Sequence, residues 1–101
     1  MTDPHVVFEE DVNAILEALK EMLLAKNRKY GDSALNPSQT FARCSPIELI
    51  NVRIDDKLSR IKSRQDDEDE DVEWDLMGYL VLKRIAKGRL VEEAPVKKVR
   101  K

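Results

Sequence analysis

The apolar positions of the chain fall into three helical stretches. From Phe8 to about Arg28, the residues Val12, Ile15, Leu16, Leu19, Met22 and Leu23 recur at spacings of three and four. That period lays them along one stripe of a helix. Glu17, Lys20 and Glu21 fall off the stripe. Glu9, Glu10 and Asp11 crowd the expected first turn and Lys26, Arg28 and Lys29 the last, a polarity that suits the helix dipole. Gly31 supplies a stop. A second helix is announced by Ser45 as N-cap, Pro46 at the first helical position and Glu48 three residues after the cap. Ile47, Ile50, Ile54, Leu58 and Ile61 then repeat to about Arg64. The third helix is predicted over 70–87, with Gly88 as its stop. It is apolar nearly all round: Val72, Leu76 and Leu80 occupy one side, and Trp74, Met77 and Val81 the other. A helix of that kind is covered on more than one side.

The expected fold is therefore all-α, with three main helices (about 8–28, 46–64 and 70–87), a long ordered loop over 31–44, and assembly into a helical homo-oligomer. Residues 1–7 read as a frayed arm, 8–88 as the helical domain and 89–101 as a mobile basic tail. Composition agrees with this. In 101 residues there are only 3 Gly and 4 Pro, too few turn residues for an all-β sandwich. Charged residues reach 38%, yet the net charge is only -2, so global charge gives no reason to expect nucleic acid as a partner. No apolar run approaches 18 residues, so no membrane span is expected. Cys44 is the sole cysteine and is expected to be a small, buried or half-buried residue in a reducing, cytoplasmic compartment.

Local charge is more informative. Arg53, Lys57, Arg60 and Arg64 follow one edge of the second helix over about 16 Å, at 1.5 Å per residue. Asp55 and Asp56 sit within that edge. Asp71 and Asp75, spaced i, i+4, share a face of the third helix. Antiparallel packing would bring these acids together, and hard oxygen donors suit Mg²⁺ or Mn²⁺. The adjoining cations would meet phosphate oxygens. A second candidate is the end of the first helix. There Lys26 and Lys29 could reach a phosphate and Tyr30 could stack on a base. Each group also has an ordinary reading. Acids and bases at i, i+4 form solvated surface pairs, and cations complement a helix C-terminus. The run DDEDED at 66–71 reads as a solvated turn.

Three motifs in order carry a resemblance: Lys-Tyr-Gly-Asp-Ser at 29–33, Val-Arg-Ile-Asp-Asp-Lys-Leu-Ser-Arg-Ile at 52–61, and Asp71-x3-Asp75-Leu76-x2-Tyr79. Over about residues 10–87 the chain resembles a small family of nucleotide-modification-associated proteins of phages and prophages. These are similar in turn to the MazG-like all-α nucleoside-triphosphate pyrophosphohydrolases. The resemblance implies a helical, oligomeric, Mg²⁺-dependent fold that binds nucleoside phosphates between helices, in a bacterial cytoplasm. On that reading Asp56, Asp71 and Asp75 hold the metal, Lys26, Lys29, Arg53, Lys57 and Arg60 hold phosphates, and Tyr30 holds the base. The related enzymes typically carry further acids where this chain has Lys57, Ser59 and Val72. A second reading is thus a non-catalytic protein that sequesters a nucleotide, such as a host signal. That role needs the basic edge and Tyr30 but not the full acid set. A third reading is a helical adaptor that uses the basic tail.

Overall fold

A computed structural model describes residues 3–38, 44–63 and 71–93, with side chains through residue 89. It is all-helical, with no strand among the described residues: α1 (Pro4–Tyr30), α2 (Pro46–Ser63) and α3 (Val72–Glu93). The chain divides into two compact units, Met1–Gly31 and Asp32–Lys101. No helix is long and apolar enough to cross a membrane among the described residues.

The first unit is α1. It starts at Pro4 rather than near Phe8, so most of the expected frayed arm is helical. The reason is local. Asp3 has extended backbone and its Oδ1 accepts the His5 N–H at 2.9 Å, while Pro4 needs no hydrogen-bond partner at the helix start. Glu9, Glu10 and Asp11 consequently lie beyond the first turn. The helix ends at Gly31, whose φ of 66° and ψ of -157° lie in a region that side-chain-bearing residues avoid. Along the predicted stripe Leu19 is buried and Met22 and Leu23 are half-buried, whereas Phe8, Val12, Ile15 and Leu16 are exposed.

The second unit is built on α2 and α3. Ser45 caps α2 as expected: its Oγ accepts the Glu48 N–H at 3.1 Å and its carbonyl accepts the Leu49 N–H at 3.1 Å. Cys44, just ahead of this cap and outside the helix, is exposed rather than buried. Ile50, Ile54 and Ala86 form the core with Leu35 from the preceding loop, and Ile47, Leu76, Tyr79 and Leu82 pack against it. The core reaches from Ile50, near the start of α2, to Ala86, past the middle of α3. Near the other end Lys57 of α2 meets Asp75 of α3. The two helices therefore run antiparallel.

Two residues exchange their expected places on α2. Leu58 is exposed, and Lys57, expected on the basic edge, is buried. The core-facing direction follows Ile50, Ile54 and Lys57, whose spacing of four and three is as regular as the route through Leu58. Asp75 across the seam makes it favourable to bury the cation. The third helix also departs from expectation at its C-terminus. Gly88 does not stop it, and α3 runs on to Glu93. A glycine inside a helix costs only about 1 kcal/mol relative to alanine. Arg89, expected in a mobile tail, is helical and its guanidinium lies 3.9 Å from the Asp32 carboxylate. Arg64, residues 66–70 of the acidic run and residues 94–101 of the tail lie outside the described residues.

Candidate functional site at the seam of the second and third helices

The seam carries charge where α2 ends and α3 begins. Lys57 Nζ stands 3.6 Å from Asp75 Oδ2, and the two side chains are only 11% and 17% exposed. Both also engage further groups. Cation and carboxylate here replace water for one another, because neither charge is tolerated unpaired in a site so poor in solvent. The pair joins one residue expected to hold phosphate to one expected to hold metal.

Asp71 sits one residue before α3. Its Oδ1 accepts the Trp74 N–H at 3.0 Å and its carbonyl accepts the Asp75 N–H at 3.0 Å. This is an N-cap, and the carboxylate also complements the helix dipole. Asp56, one turn before Arg60 on α2, lies 3.3 Å from the Arg60 Nε in a pair more open to solvent. Arg53, one turn before Lys57, is exposed on the same helix. Of the residues expected in the seam, Lys57 and Asp75 are thus brought together across the helices. Asp56 and Arg60 are joined along α2, and Asp71 is tied to its own helix. Among the described residues no group of three or more His, Cys, Asp or Glu side chains is placed to hold a metal ion. Asp56, Asp71 and Asp75 do not make such a group.

The other predicted residues belong to the first unit. Lys26, Lys29 and Tyr30 occupy the last two turns of α1. The Lys29 ammonium lies 5.2 Å from the centroid of the Tyr30 ring, a cation–π contact on an exposed tyrosine. Lys26 engages a neighbouring group of its own.

One polar cluster was not anticipated. Asp32 opens the turn after Gly31. Its carbonyl accepts the N–H groups of Leu35 and Asn36 at 3.1 and 2.7 Å, its carboxylate accepts the Asn36 amide at 2.5 Å, and Arg89 approaches it. The Asp-x-x-x-Asn spacing was visible in the sequence, but the partner 57 residues further on was not. This cluster holds Leu35 where the core needs it.

No family model matches the chain, and no curated protein or solved structure shows significant similarity to it.

Proposed function

We infer that this chain is a nucleotide-binding protein of the MazG-like helical kind, which takes the phosphates of a nucleoside polyphosphate at the basic edge of α2. The supporting observation is the meeting of Lys57 with Asp75 at 3.6 Å. It brings the basic edge of α2 and the acidic start of α3 to one seam, as a site of that class requires. Arg53 and Arg60 flank Lys57 by about one turn on either side, and their guanidinium groups offer paired donors to phosphate oxygens. Lys26, Lys29 and Tyr30, at the end of α1, are a separate candidate for contacts to a phosphate and a base. The first activity to test is Mg²⁺- or Mn²⁺-dependent cleavage of a nucleoside triphosphate into monophosphate and pyrophosphate, with Asp56, Asp71 and Asp75 as the acids available.

A second reading, retention of a nucleotide without cleavage, is favoured by a specific observation. Asp71 is engaged in capping α3 and Asp56 in pairing with Arg60. Binding through Arg53 needs neither acid, and a phosphate would compete with Asp56 for Arg60. The experiment is a thermal-shift panel of nucleoside mono-, di- and triphosphates and cyclic dinucleotides, run with Mg²⁺ and in EDTA, beside a pyrophosphate-release assay. A ligand that binds only the folded chain raises its melting temperature by mass action. Turnover with metal supports the enzyme, and a shift in EDTA without turnover supports retention. No shift with any nucleotide refutes both.

A further inference from the structure

The solvent-facing surface of α3 is a feature the preceding reading leaves unused. The core of the second unit takes Leu76, Tyr79, Leu82 and Ala86. At 100° per residue, Glu73, Met77, Leu80 and Arg84, spaced four, three and four, form a row on the flank of the helix next to Leu76, with Trp74, Val81 and Ile85 on its far side. Met77, Leu80 and Ile85 are 37%, 46% and 39% exposed, and Trp74 and Val81 are half-buried. Spacing of four and three is the seam pattern by which one helix packs along another. The row has an apolar middle and two exposed charges of opposite sign at its ends.

That arrangement is its own complement. We propose that this face docks on the same face of a second copy, the two α3 helices crossing antiparallel about a two-fold axis between Gly78 and Tyr79. The axis sets Met77 opposite Leu80 of the second copy, and Glu73 opposite Arg84 of the second copy, each contact occurring twice, as an isologous interface demands. Charge selects the direction. Parallel helices would set Glu73 on Glu73 and Arg84 on Arg84, whereas antiparallel helices pair opposite signs at both ends. Glu73 and Arg84 of one chain stand 11 residues, or about 16 Å, apart along the axis, too far to pair within it. The proposal stands independently of the nucleotide reading.

Charge exchange tests it. Glu73→Arg alone, or Arg84→Glu alone, puts like charges at both ends. Each should weaken self-association roughly four- to thirtyfold by sedimentation equilibrium, since two favourable pairs become two unfavourable ones. The double exchange should restore it. So should mixing the two single variants, because the mixed dimer again pairs opposite signs at both ends. A conservative chain, Arg84→Lys, supplies a second measurement. Zero-length carbodiimide coupling should join the new amine to Glu73 of the other copy, and peptide mass spectrometry should find that link only in the covalent dimer. A wild-type monomer at tens of micromolar overturns the proposal. So do single exchanges without effect, loss that neither the double exchange nor mixing repairs, or absence of the cross-link.

Discussion

Replacing Asp75 by asparagine removes the charge that faces Lys57 while keeping nearly the same volume. Lys57 is then left with its ammonium in a site only 11% exposed. Breaking a buried ion pair from one side costs about 3–5 kcal/mol when both partners are dry. Here both side chains retain a little solvent and the separation is 3.6 Å, not the shorter distance of a tight charged hydrogen bond. A loss of about 2–3 kcal/mol is therefore expected for Asp75→Asn, within a total stability of about 5–15 kcal/mol for a chain of this length. At about 4–8 °C per kcal/mol, the melting temperature should fall by roughly 10–20 °C. The informative comparison is the pair removed as a whole. Lys57→Met with Asp75→Leu deletes both charges and fills the same seam with apolar atoms, so it should cost clearly less than the sum of the two single losses. Urea unfolding followed by circular dichroism at 222 nm measures all four chains of the cycle, and the coupling energy should exceed about 1 kcal/mol. A loss below about 0.5 kcal/mol for Asp75→Asn, or a double variant weaker than either single one, would refute the reading of this contact as a desolvated pair.

Other expectations are more local. Asp71→Ala should cost about 1 kcal/mol in urea unfolding by freeing the Trp74 N–H, and Asp71→Ser should recover most of it. The two glycines with open space around them should respond in opposite directions. Gly31→Ala forces a side chain into a positive-φ conformation and should destabilise by about 1–3 kcal/mol, whereas Gly88→Ala in the interior of α3 should stabilise by about 0.5–1 kcal/mol; equal thermal shifts would contradict the backbone assignment. Arg60→Ala should weaken nucleotide binding by about 1.5–3 kcal/mol in calorimetry with little change in melting temperature, and unchanged affinity would remove Arg60 from the site.

What could be read in advance was whatever is written at short range. Ser45, Pro46 and Glu48 mark the start of α2 to the residue, because a cap involves only four neighbouring positions. The all-helical class follows from three apolar periods and few turn residues. The exchange of Lys57 for Leu58 on the core face could not be read that way. Both fit a helical spacing, and only Asp75, eighteen residues on, makes the cation the better choice. The end of α3 is not legible for a similar reason. Gly88 is a common stop, but its cost in a helix is small enough for the chain to continue past it. The spacing of Asp71 from Asp75 points to a metal ligand. The same position also suits an N-cap, and its contact with the Trp74 N–H shows that role.

The core of the second unit also bears on the order of folding. Its buried members run from Leu35 to Ala86, and its two helices are separated only by residues 64–71. Closing so short a span carries a small entropic penalty, and helical hairpins dominated by such contacts form in microseconds to milliseconds. During synthesis, however, the chain grows at about 5–20 residues per second, far more slowly than the hairpin can close. The helix α2 is therefore complete well before its apolar face has anything to pack on. That face stays uncovered until Leu76, Tyr79, Leu82 and finally Ala86 leave the ribosome. The exposed interval is set by translation, and slow codons over the stretch encoding α3 would lengthen it.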